Sequence, residues 1–149
     1  MEQTYPRTIG KGRIRSDKRE GVGATPRGIH RIVGMLYRPD QTPKPNYWAK
    51  SIGPNDLPPD DTSDAHYNHC VKRAYAHNLE KLCRSDPLYD RMILTDWNCP
   101  HAQAGKGSAI FIHQSRRAEY PTEGCIAFRL EHLHAIERSI TPNTQLIVR

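Results

Sequence analysis

No run of apolar residues in this chain comes near the roughly 20 that a membrane-spanning helix requires, which excludes a helical membrane span. The opening, Met1-Glu2-Gln3-Thr4-Tyr5-Pro6, lacks the basic head and apolar stretch of a secretory signal. Either the protein stays inside, or a leader has been removed. There is no Cys-x-x-Cys pair, and His66-x-x-His69-Cys70 has no second half at zinc-finger spacing. No metal site is therefore expected among His66, His69, Cys70, Cys83, Cys99 and His101. Aromatic residues are few, with two Phe, two Trp and seven Tyr, and they form no interleaved stripe with the scattered basic residues, so nucleic acid is not an expected partner. Internal repeats and low-complexity linkers are also missing. A chain of 149 residues without them reads as a single domain, 1–149, with one core and one site.

What the chain does have is positive charge and turn formers. Lysine and arginine outnumber aspartate and glutamate by 22 to 16, so the natural electrostatic partner is a polyanion or a carboxylate-rich surface. Ten glycines and 12 prolines mark a loop-rich domain. Residues 10–28 favour turns and short extended pieces. Ile29 to Tyr37, bounded by Gly28 and Pro39, reads as a strand. From Pro39 to Asp64 six prolines interrupt any element face, leaving at most a short strand near Tyr47 to Ile52. Ala74 to Arg84 has the composition of a helix, with Leu79, Leu82 and Cys83 on one face.

Tyr89 to Trp97 and Ser108 to His113 read as strands, the second nearly continuous in apolar residues, as a strand buried on both faces would be. A short apolar piece follows at Cys125-Ile126-Ala127-Phe128. Leu130, Leu133, Ile136 and Ile140 then repeat at helical spacing, and Pro142-Asn143 stops that helix before a last strand, Gln145 to Val148. His132 and His134 fall between the apolar positions and are expected on the exposed face. The fold class is mainly β, a β-rich α+β domain with two short helices.

His113 ends a buried strand and Cys125 heads the next apolar piece, with an 11-residue polar loop between them. If the two segments are sheet neighbours, their backbones lie about 4.8 Å apart and imidazole can reach thiol. An imidazolium favours the thiolate, the form that attacks carbonyl carbon. Gly124 allows a sharp turn and offers N–H groups at Gly124 or Cys125 to a developing oxyanion. Taken alone this pair is a weak signal, since a lone cysteine is usually a small buried hydrophobe and a lone histidine usually a structural one.

The stretch Gly107-Ser108-Ala109-Ile110-Phe111-Ile112-His113, followed by Thr122-Glu123-Gly124-Cys125-Ile126-Ala127-Phe128, a helix and a final strand, resembles the catalytic region of the L,D-transpeptidase (YkuD-type) family. The segment from Asp17 to Gly28, with Gly23-Ala24-Thr25-Pro26-Arg27-Gly28, resembles that family's Gly-Ala-Thr-Pro-x-Gly region. The similarity runs from about Ile9 to the C-terminus. It implies an L,D-transpeptidase-like mixed β-sandwich with short helices and a cysteine that attacks the carbonyl at the L-centre of diaminopimelate in a peptidoglycan stem peptide. The terminal D-alanine would leave, and an amine or water would resolve the thioester, making a transpeptidase or a carboxypeptidase. The resemblance further implies a periplasmic or cell-envelope location, acylation by carbapenems and no cofactor. It also suggests an N-terminus shorter than usual.

Position by position, Cys125 matches the nucleophile, His113 the base, Gly124 the glycine before the nucleophile and Thr122 the family's Ser/Thr. Glu123 stands where most members have histidine, as in a branch of small proteobacterial relatives with Thr-Glu-Gly-Cys, and Ala127 where many have Arg or Asn. Glu123 is expected either to stabilise protonated His113 or to bind a substrate ammonium. Arg116 and Arg117, with Lys18 and Arg19, are candidates for pairing with stem-peptide carboxylates. Two other readings stay open: a catalytically silent peptidoglycan-binding module, and a cysteine amidase with a substrate outside the cell wall. Free thiols are the default for the other cysteines, with Cys70–Cys83 as the disulfide alternative.

Overall fold

A computed structural model describes residues 3–52, 69–72, 89–99, 103–106, 109–117 and 120–149. Its longest strand is β3 (Gly28–Tyr37), and the remaining elements assemble on it. The first half of β3, Gly28 to Arg31, pairs antiparallel with β8 (Gln145–Val148). The second half pairs antiparallel with β5 (Arg91–Thr95) and parallel with β4 (Lys50–Ser51), after a register shift between Ile32 and Gly34. That irregularity bends the strand so that its two halves serve different neighbours. Beyond β5 come β6 (Phe111–Gln114) and β7 (Ile126–Phe128), giving the order β4-β3-β5-β6-β7. A small parallel pair, β1 (Ile14–Arg15) with β2 (Thr25–Pro26), lies apart from this sheet.

Alternation along the strands divides the core into two faces. Leu36, Met92, Leu94 and Phe111 point to one side, where Ile52 and Val71 close over them. Val71 belongs to α1, helical at residues 69–72. Met35, Ile93, Ile112 and Ile126 point to the other side and meet Leu133 of α2 (Leu130–Ser139). Leu133 is wholly buried, and burying a leucine of that size stabilises by about 1.5–3 kcal/mol. Together these elements make a mixed α+β fold with a β-sandwich-like arrangement and two short helices among the described residues.

A disulfide joins Cys70 of α1 to Cys99, just past β5, closing a separation of 29 residues. A loop of that length contributes roughly 3–4 kcal/mol by restricting the unfolded chain. This corrects the expectation of free thiols there and of Cys83 as the alternative partner. Cys83 and the helix expected over Ala74 to Arg84 lie outside the described residues. Strand β5 is shorter than Tyr89 to Trp97, because the chain leaves the ladder at Asp96 for a turn that Cys99 N–H closes onto the Asp96 carbonyl. His132 and His134 are half-buried, not exposed, and the Tyr5 ring lies 5.5 Å from that of His132.

The buried pair Arg91 and Glu137 gave no signal in the sequence. Glu137 is 2% exposed on α2, its Oε2 3.0 Å from Arg91 Nη1, while Arg91 also donates to the Thr42 hydroxyl. Burial pushes the Glu137 carboxyl up to about 7, against the opposing pull of Arg91 and Arg138. A carboxyl that binds its proton more tightly when folded contributes stability that is full below its unfolded value near 4.5 and lost as pH rises through 7. Glu137→Gln should flatten this dependence. In urea unfolding at pH 5 and pH 8, the wild-type protein should lose roughly 1–3 kcal/mol more than the variant across that interval. Parallel curves for the two proteins would contradict the assignment.

Candidate functional site

The site is built where the N-terminal segment meets the loop before β7. Strands β6 and β7 are parallel neighbours with His113 opposite Ala127, so Cys125, two residues earlier, shares the His113 face and lies level with Phe111. The Phe111 N–H points at Cys125 Sγ, 3.4 Å away, and the half-buried sulfur packs against the apolar cluster of that face. His113 is 3% exposed. Its Nδ1 lies 2.7 Å from the Gln114 carbonyl oxygen, which fixes the proton on that nitrogen, and its ring centroid is 5.1 Å from that of Tyr89.

Gly124 has a φ of +133°, a backbone region that favours glycine. A Cβ there would stand 2.8 Å from the Ala24 carbonyl oxygen and 3.3 Å from Lys18 Nζ. The chain approaches this closely because Thr25 holds it. The Thr25 hydroxyl accepts Gly10 N–H and donates to the Gly124 carbonyl, both at 2.9 Å, in a residue with no exposed surface. Two further backbone pairs, between Thr8 and Ala127 and between residues 9–11 and Thr122, bind the N-terminal segment along the free edge of β7. Thr122 Oγ1 accepts Gly124 N–H at 3.1 Å and donates to the Cys125 carbonyl at 2.5 Å.

Of the basic candidates, Lys18 alone turns inward. It is 7% exposed, its ammonium beside Gly124, and burial lowers its pKa while charge on Cys125 raises it. No carboxylate among the described residues forms an ion pair with it. Arg19 is exposed. Arg116 and Arg117 are exposed too and lie over the Tyr120 ring, at 5.5 and 4.7 Å from its centroid. Glu123 faces solvent and pairs with Lys11 at 3.0 Å, so the carboxylate is spent on an exposed ion pair and not on His113. Sequence reasoning named the Gly-Ala-Thr-Pro segment but missed that its threonine is the clasp. A hydroxyl between two glycine-rich turns was the available signal.

The expectation of acyl transfer through a Cys125 thioester is corrected here. Two of the three described cysteines, Cys70 and Cys99, are spent on a structural cross-link, where free thiols were the default expectation. Cys125 lies outside that bridge and is a free cysteine. Its surroundings, however, depart from those the mechanism asked for. Gly124 N–H, one of the two expected oxyanion donors, is taken by Thr122, Glu123 is turned away, and the sulfur sits as an acceptor against apolar side chains. What the arrangement offers is a half-buried sulfur with a buried cation beside it. Among the described residues no cluster of His, Cys, Asp or Glu is able to hold a metal ion, and no helix is long and apolar enough to cross a membrane.

A family model described as the L,D-transpeptidase catalytic domain (YkuD) matches residues 1–148. No curated protein and no solved structure matches the chain.

If the Thr25 hydroxyl sets this geometry, Thr25→Val should cost about 2–4 kcal/mol in urea unfolding, because two buried backbone groups lose their partner. Thr25→Ser should recover most of it. A loss under about 0.5 kcal/mol for Thr25→Val would show that the segments hold together without the clasp.

Proposed function

Because the chain belongs to the YkuD family of L,D-transpeptidase catalytic domains, we propose that it is a peptidoglycan-binding module which holds a stem peptide on the Gly124–Cys125 shelf without a covalent step. The observation that carries this reading is Lys18. Its ammonium is buried beside Gly124 and close to Cys125, whose charge favours it, while no carboxylate among the described residues pairs with it, so a ligand carboxylate would add to its stabilisation. A stem peptide ends in a carboxylate and supplies that anion. The net charge of +6 favours the approach of an acidic polymer.

The disulfide between Cys70 and Cys99 fits a compartment outside the reducing cytosol, as a cell-envelope ligand requires. On this reading Thr122-Glu123-Gly124-Cys125 assigns the chain to a branch that carries glutamate where most members have histidine. That glutamate makes an exposed pair with Lys11, a contribution of roughly 0–1 kcal/mol.

Titration of tryptophan fluorescence with purified muropeptides tests the proposal. Lys18→Met should weaken binding about tenfold or more, the loss expected for a charged hydrogen bond. Lys18→Arg should retain part of the affinity, and Cys125→Ser should bind as the wild type does. Equal affinities for wild type and Lys18→Met, or the absence of any saturable binding, would contradict it.

A further inference from the structure

The loop before β4 carries an aromatic pair, Tyr47 and Trp48, that the site beside β7 does not use. Tyr47 is 81% exposed, more than any other large apolar side chain among the described residues, and Trp48 is half-buried against the cluster of Met35 and Leu133. A lone surface tyrosine asks for no explanation. What marks this one is the fixity of the backbone beneath it. The Asn46 side chain accepts the Trp48 and Ala49 N–H groups at 3.1 and 2.9 Å and donates to the Glu137 carbonyl of α2 at 3.1 Å. Arg91 donates to the Thr42 hydroxyl earlier in the loop, and Pro43 and Pro45 restrict the residues between. The backbone that carries both rings is thus set before any ligand arrives, which lowers the entropic cost of binding. Neither the Tyr47 hydroxyl nor the Trp48 indole N–H has a hydrogen-bond partner among the described residues.

We propose that Tyr47 and Trp48 form a stacking platform for a neutral glycan of β-linked pyranose units. Such a sugar presents a face of axial C–H bonds that packs on an aromatic ring, and an equatorial girdle of hydroxyls that suits the free phenol and indole N–H groups. Size argues against a protein partner. Two aromatic side chains bury about 150–250 Å² each, well short of the roughly 800 Å² per partner of a stable protein interface. The other exposed large apolar side chains, Ile29, Tyr120, Leu130 and Ile147, all lie on other elements and do not extend the patch. Charge argues against a polyanion. Arg38 pairs with Asp40 and Asp90, and Lys44 is the only other charged residue from 38 to 48, so these charges cancel. The platform also stands apart from Lys18, because β4 and β7 are the two ends of the strand order, and it does not rest on the stem-peptide reading.

Chitotetraose, a soluble and uncharged β-linked tetrasaccharide, titrated into the full chain tests this, with the indole N–H resonances of the two tryptophans as the readout. The Trp48 resonance should shift to saturation with a Kd of roughly 0.1–1 mM, while that of Trp97 stays in place. Tyr47→Ala should weaken binding about tenfold or more and remain folded, since the side chain it removes is exposed. Tyr47→Phe should stay within about threefold of the wild type, because the ring carries the stack. Lys18→Met should bind chitotetraose as the wild type does, which separates this site from the one beside Gly124. No saturable shift, an unchanged affinity in Tyr47→Ala, a shift confined to Trp97, or loss of binding in Lys18→Met would each overturn the proposal. So would association with phosphatidylcholine vesicles in the absence of chitotetraose binding, because that would mark Tyr47 and Trp48 as an anchor at a membrane interface.

Discussion

One hydroxyl organises the part of this molecule that carries its proposed function. Thr25 stands between two glycines that come from opposite ends of the chain, taking a hydrogen bond from Gly10 and giving one to Gly124. Neither glycine tolerates a side chain. A Cβ on Gly10 would stand 2.1 Å from the Gly23 carbonyl oxygen, and one on Gly124 would meet Ala24. The absence of those two atoms lets the N-terminal segment lie against the loop before β7, and the same approach buries Lys18 beside Cys125. Packing of the sheet supplies the rigidity; the clasp supplies the register.

The sheet separates two chemistries. On one face Cys125, His113 and Lys18 border a shelf whose apolar floor includes Val71, and the bridge from Cys70 to Cys99 secures that residue's helix to the end of β5. On the other face α2 packs through Leu133 against Met35, Ile93, Ile112 and Ile126. The same alternation along β6 and β7 serves both, since neighbouring residues of a strand point to opposite sides.

Much of this was legible in the residues. Composition and bounding residues located β3, between Gly28 and Pro39, and β8, after Pro142-Asn143, while helical spacing located α2. That His113 and the apolar piece headed by Cys125 are neighbours was only a condition in the sequence; the pairing of β6 with β7 meets it, with Cys125 just before β7. Less legible were features decided by tertiary partners. Glu137 reads as a solvated helix residue until Arg91, on another element, is brought beneath it. Glu123 reads as a group aimed at His113 until Lys11 claims it. The cysteine pairing could not be read either, because a 29-residue separation carries no geometric information before the chain is folded. That pairing and the loss of Gly124 N–H to Thr122 are both tertiary features, and both weigh toward binding over bond-making.

Whether the shelf holds its ligand without reacting is the claim on which the functional account turns. Intact-mass analysis of the protein after incubation with muropeptides and denaturation in acid addresses it directly, since a noncovalent complex falls apart and a thioester survives. An unchanged protein mass is expected. A mass increase of one acyl stem peptide, mapped to Cys125, would contradict it and return the sulfur to the role of nucleophile.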